Sequence, residues 1–360
     1  MKKILISLLC VLLLCGCTFK EKVQEQTDNE TSTMQSFDNS YYKIVSFKGS
    51  ELRENFYLSY GTSQDFLSIG RGLQQLSSSH FSTSSYYMSE GQYLGLGELN
   101  ELLKREKDKS VYPYTLQPAK GTSIEGVFEP IMVSSVQEQD YYIKDGKNYV
   151  LKGVSFAIVL NPLTASGDTI EPALSDETVK KYGKQCIEKF YKFIKEYDTF
   201  KKIKNLPILI TVYQATDRSS STIDGRYILK ALCEKKVGNI ENVNYKTVYF
   251  TGKDAEELDS VTHSEFEIIK SKLKNAAYEA AGFQATARYI NNEIQSMVIN
   301  ANLNTKTYTE LIYLTDYIAS LIEDGFTYDF DIKVVVNSQD ETQAIIIKEK
   351  GQDVKSSLLY

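Results

Sequence analysis

The sequence predicts an α+β protein. Two β-α-β-β units with mixed or antiparallel sheets form its C-terminal part, and a smaller region of mixed helices and strands precedes them. Three observations predict this. Continuous apolar runs at 154–160 (VSFAIVL) and 208–213 (ILITVY) flank an amphipathic stretch that opens at Ser175. The alternating segment 294–303 and the run 330–336 flank a second such stretch that opens at Thr307. In each case another apolar segment follows at once, 227–233 and 343–348, which favours antiparallel pairing at the end of the unit.

The chain opens with Lys2 and Lys3, then an apolar run to Leu14 broken by Ser7 and Cys10, then Leu14-Cys15-Gly16-Cys17. That order is a secretory signal, since about eleven apolar residues reach only ~16 Å as a helix, half of a bilayer core. The Leu-x-Gly-Cys ending marks a lipoprotein signal. Leu14, Cys15 and Gly16 are read as the signal-peptidase recognition residues, with Cys15 where a smaller residue is more usual. Cys17 is read as the lipidated N-terminus, anchored in the cell membrane on its extracytoplasmic face. Its partner is the lipid bilayer, reached through a diacylglyceryl cysteine, and two acyl chains hold stably where one is marginal.

Residues 18–40 are polar and lack periodicity, as in a flexible tether. The division that follows is 1–16 signal peptide, 17–40 disordered tether, 41–150 mixed α/β region and 151–360 C-terminal α+β domain. In the mixed region, 42–47 is a short strand. Phe66, Ile69, Leu73 and Leu76 recur at helical spacing behind a Thr62-Ser63 cap. Leu96, Leu99, Leu102 and Leu103 mark another helix, ending in the charged run 104–109. Residues 110–150 read as loops and short strands, with a hairpin signal at Asp145-Gly146.

The C-terminal part has sharper signals. Asp176 and Glu177 follow Ser175, where negative charge suits the helix dipole. Val179, Tyr182, Cys186, Phe190, Phe193 and Tyr197 line one face. Ser264-Glu-Phe-Glu267 reads as a capping box opening a helix that Gly282 stops. Thr307-Tyr-Thr-Glu310 is a second box, with Leu311, Leu314, Ile318 and Leu321 on the face behind it and Gly325 at the end. The units span about 153–233 and 294–349.

Composition narrows the function. The formal net charge is −6, and loss of Lys2 and Lys3 makes it more negative. No basic stripe exists, so nucleic acid is not a partner. Only Cys186 and Cys233 remain beyond Cys17, too few for a disulfide framework, and Cys186 reads as a buried thiol. Of the 26 tyrosines many fall at core spacings. The two histidines, His80 and His263, make neither a zinc site nor a triad. The glycines of 91–97 read as a turn before a helix, and the alternating acids of 324–331 as a solvated strand face. No paired carboxylates stand out, and no catalytic residue, cofactor or metal is expected.

Taken together these pieces resemble the CamS family of sex-pheromone-precursor lipoproteins of Gram-positive bacteria. The resemblance rests on the lipobox at Cys17, on Tyr42-Lys-Ile-Val-Ser-Phe-Lys48 with Arg53, and on Asp65-Phe66 with Gly72-Leu73. Gly91-Gln92-Tyr93-Leu94, the segments 153–161 and 175–183, and Leu206-Pro-Ile208 through Tyr213-Gln214 continue it. It implies that the released signal peptide is trimmed, and that its C-terminal heptapeptide is exported to a peptide pheromone receptor. By position that heptapeptide is 10–16 (CVLLLCG), which differs from the family's better-known peptide in carrying two thiols. The body is then a non-enzymatic surface lipoprotein. The alternatives are a lipoprotein that binds a peptide or glycan, and a cell-wall hydrolase.

Overall fold

The computed structural model describes residues 41–46, 48–54, 65–105, 113–216, 225–277 and 282–359. The signal peptide, the tether, the Thr62-Ser63 cap and most of the 104–109 run lie outside them. Along the chain come β1 (Lys43–Ile44), α1 (Asp65–Ser77), β2 (Tyr87–Glu90) and α2 (Leu96–Leu103). The small hairpin β3 (Ser123–Ile124) and β4 (Val127–Phe128) precedes the long strands β5 (Ile131–Asp145) and β6 (Asn148–Leu163). Next are α3 (Asp176–Glu196), β7 (Ile208–Gln214), β8 (Arg226–Cys233) and β9 (Glu241–Tyr249). Then follow α4 (Lys253–Leu258), α5 (Ser260–Ala276), β10 (Gly282–Ile290) and β11 (Glu293–Leu303). The chain closes with α6 (Tyr308–Glu323), β12 (Asp331–Ser338), β13 (Glu341–Lys348) and β14 (Lys355–Leu358).

Twelve strands form one mixed sheet in the order β1-β2-β5-β6-β7-β8-β9-β10-β11-β12-β13-β14. The two expected units are both present, as β6-α3-β7-β8 and β11-α6-β12-β13. In each, the helix joins a parallel pair, β6/β7 or β11/β12, and a hairpin partner follows antiparallel. Each unit also gains a preceding antiparallel strand, β5 or β10. Strands β9 and β10 carry the sheet from one unit to the other.

Helices α3 and α6 form because one stripe is apolar and a side chain caps the first amides. Ser175 accepts from Thr178 N at the start of α3, and Val179, Cys186, Phe190 and Phe193 are buried. Tyr197 caps the other end, half out of the core. In α6, Thr307 accepts from Glu310 N, while Glu310 reaches back to Lys306 N, one residue before the box partner expected. Leu311, Leu314 and Ile318 are buried below.

Strand β6 shows how the layers divide. Val154, Phe156, Ile158 and Leu160 point to one side, into a core shared with α2 and α3. Ala157 and Val159 point to the other, against α1 and the rings of Tyr141, Tyr213, Tyr227 and Tyr245. On β9, Tyr245 faces the α1 side and Val248 the opposite side, where it joins the core under α5 and α6. So α3, α5 and α6 share one face of the sheet. On the other face no described helix follows α1 over β10–β13, and Gln284, Asn300, Asn302 and Lys333 are exposed there.

Three expectations need correction. Residues 131–145 are one strand paired with β6 almost to its ends, not loops. The prolines of that region, with Gly121 and Gly126, lie before it, and Glu138, Gln139 and Asp140 are buried by partners distant in sequence. The Asp145-Gly146 hairpin is present, but the 150/151 boundary falls inside β6. The Ser264 capping box is not used. Helix α5 starts at Ser260 with Asp259 as its cap, because Asp259 also accepts from the buried Tyr289 hydroxyl. Gly282 is accordingly the first residue of β10 rather than a helix stop.

Candidate functional site

Glu138 and Asp140 lie two residues apart on one face of β5, and both are buried, with Asp140 at 0% exposure. They sit there because β5 is enclosed on both faces. The segment 91–94, between β2 and α2, closes over them. Four consecutive amides of that segment end on these two residues. Gly91 N donates to the Glu138 carbonyl (3.3 Å) and Gln92 N to Asp140 Oδ2 (3.1 Å). Tyr93 N (3.2 Å) and Leu94 N (2.7 Å) donate to Glu138 Oε2. Gly91 is required, since a Cβ there would stand 2.3 Å from the Cβ of Glu138.

Burial holds both carboxyls above the ordinary carboxylate range. Glu138 is pushed up to about 7, opposed by the amides of Leu94, Tyr93 and Gln92. Asp140 is raised well above its ordinary value, first by burial and then by the charge and hydrogen bond of Glu138. Asp140 Oδ1 has no donor of its own. A proton on Asp140 turns it into a donor towards Glu138, which is left as acceptor for the loop amides. The pair binds backbone and protons, and it has no open face for a substrate.

A pH dependence follows. The folded chain keeps protons that the unfolded chain releases above about pH 4. Stability from the pair is therefore full below that pH and is lost as pH rises through about 7. The urea midpoint is expected to fall between pH 5 and 8, and Asp140→Asn to flatten that fall. A midpoint constant over this range would contradict the assignment.

The residues singled out in the sequence are placed as follows. Leu14, Cys15, Gly16, Cys17 and the 10–16 peptide lie outside the described residues. Cys186 and Cys233 are buried free thiols, pushed up to about 12 and about 11 by burial. His80 sits in the turn after α1, and His263 in the first turn of α5, with its ring centroid 6.0 Å from that of Phe250. Asp329 and Asp331 accept from Gly351 N and Lys350 N, so these acids fasten a turn. Among the described residues no group of His, Cys, Asp and Glu is suited to a metal ion, and no helix is long and apolar enough to cross a membrane. Glu138 and Asp140 were missed. The signal for them was two acids at alternate positions between the apolar runs of β5.

The 91–97 turn, the tyrosine layer and the two repeated units invite comparison with known proteins. Residues 47–354 match the family described as the CamS sex pheromone cAM373 precursor. The chain belongs to the CamS family. Its fold agrees with solved CamS-type structures. A sex pheromone precursor from Lactobacillus salivarius superposes with a TM-score of 0.74 at 22% identity, covering 90% of this chain and 98% of that one. The C-terminal domain of the sex pheromone staph-cAM373 precursor from Staphylococcus aureus gives 0.65 at 21% identity, covering 81% and 95%. No curated protein matches this CamS chain in sequence.

Proposed function

We propose that this CamS chain is an extracytoplasmic lipoprotein anchored through Cys17, and that its cleaved signal peptide yields a heptapeptide pheromone, 10–16. The observation that carries the proposal is Leu14-Cys15-Gly16-Cys17 at the end of a short apolar run, in a chain of a pheromone-precursor family. The cut before Cys17 separates the two products, and trimming before Cys10 then frees the heptapeptide. Ahead of it lies a short apolar peptide that can cross membranes and fill a hydrophobic receptor groove. Behind it lies a body held at the surface by two acyl chains. The body is non-enzymatic in this proposal. Burial of Glu138 and Asp140, and of both thiols, supports that part.

The test is Cys17→Ala in the native host. Palmitate labelling and recovery in the membrane fraction are expected to fall at least tenfold, and the 10–16 peptide to disappear from the medium by mass spectrometry. Retained labelling would remove the anchor. Synthetic CVLLLCG, kept reduced, is expected to stimulate conjugation by a responder strain at nanomolar to micromolar doses. No response would remove the pheromone.

A further inference from the structure

We propose that Glu138 and Asp140 form a pH-operated latch on the 91–94 loop, which releases that loop, and the N-terminal arm packed on it, as the pair loses protons. The inference does not depend on how the signal peptide is processed. It starts from the connectivity of the loop. Among the described residues, the amides of Gln92, Tyr93 and Leu94 bond to the two carboxyls, so the state of the carboxyls decides whether the loop stays down. The loop in turn carries the arm. Gln92 Nε2 donates to the Lys48 carbonyl (3.1 Å), and Ser50 N donates to the Glu90 carboxylate (2.6 Å) at the end of β2. Strand β1 pairs parallel with β2, and Val45 N donates to the Met88 carbonyl (2.9 Å). Residues 43–50 thus hold to the sheet through β2 and this loop.

Among the described residues, no cation contributes to the electrostatics of the pair. From the loop comes the Tyr93 phenol, and from β5 the Tyr142 phenol, which is hydrogen-bonded to Ser89 of β2. Opposite on β6 stand Phe156 and Val154. At the far end of the loop, the carboxylates of Glu51 and Glu98 flank Gly95. The charged groups beside the loop are thus Glu51, Glu90 and Glu98, with Lys48 and Arg53 on the arm. With one proton the pair is a hydrogen-bonded acid and carboxylate. With none it is two adjacent buried anions, and lifting the loop lets water solvate both. The proton leaves a carboxyl oxygen for solvent, and no bond other than O–H is broken. The loop amides exchange their carboxylate acceptors for water.

Amide hydrogen exchange on the purified chain tests this, with rates corrected for their intrinsic pH dependence. Between pH 5 and 7, protection at residues 92–94 is expected to fall at least tenfold per pH unit, the slope for one or more protons released on opening. Protection at Ile158 in β6 sets the reference for whole-molecule unfolding. Glu138→Gln/Asp140→Asn leaves no ionisable carboxyl of the pair under the loop and is expected to abolish the slope at 92–94. Tryptic cleavage after Lys48 is expected to accelerate with pH in the wild-type chain more than in the double variant. Should that variant not fold, Asp140→Asn replaces it, and its slope is expected to fall below that of the wild-type chain. Protection at 92–94 that is independent of pH, that changes only in step with Ile158, or that keeps its slope in the variant would overturn the latch.

Discussion

Phe266→Ala is expected to destabilise the chain by about 3–5 kcal/mol, because a large buried ring leaves a cavity that its neighbours cannot collapse into. Phe266 is 0% exposed and lies where α5 meets the sheet. Its ring stacks on Phe283 of β10, with centroids 5.4 Å apart, and meets Phe250 edge-on at 5.7 Å. Ile269 and Leu273 follow it on the same buried stripe. The loss takes away both transferred surface and two aromatic contacts. Guanidinium unfolding followed by far-ultraviolet circular dichroism measures it as a lower midpoint at unchanged slope. A change below 1 kcal/mol would show that α5 does not pack as described.

Gly72→Val is expected to cost about 3 kcal/mol by the opposite route, overfilling a site that has no space. A Cβ at Gly72 would stand 2.4 Å from the Tyr227 ring and 3.0 Å from the Tyr245 ring. Neither ring can step aside. The Tyr227 hydroxyl donates to the Ile69 carbonyl of α1, and its ring meets Tyr213 and Tyr245 edge-on. The helix must lift, and the tyrosine layer loses its cover. Near-ultraviolet circular dichroism reports the tyrosine packing and is expected to weaken along with the melting temperature. Retention of both would mean that α1 sits farther from the sheet than this geometry places it.

Helices and strands with one clean apolar face were legible in the sequence. The pairs β6/β7 and β11/β12, their helices and their hairpin partners carry either an unbroken apolar run or a period that survives reading one residue at a time. Strand β5 was hidden because Gln137, Glu138, Gln139 and Asp140 read as surface. Burial of Glu138 and Asp140 depends on a loop some 45 residues earlier, and no local pattern announces that. Strands β9 and β10 were overlooked for a milder reason: polar residues alternate with apolar ones on a face that α5 and α6 cover from one side only. Asp259 displaced Ser264 as the cap of α5 because it gains a second partner, Tyr289, which sequence spacing does not reveal. For the same reason the acid pair looked like any other two carboxylates until the fold closed over it.

The order of strands in the sheet has a consequence for how the molecule assembles. From β5 to β14 each strand pairs with the next one in the chain. Ribbon after ribbon can therefore be laid down as the polypeptide emerges from a pore, each new strand finding its neighbour already in place. Pairing each strand with one already in place limits the time that unpaired edges are open to other chains. The exception is β2, which must wait until β5 has formed. The latch loop and the N-terminal arm therefore cannot settle until β5 has formed, although both precede it in the chain.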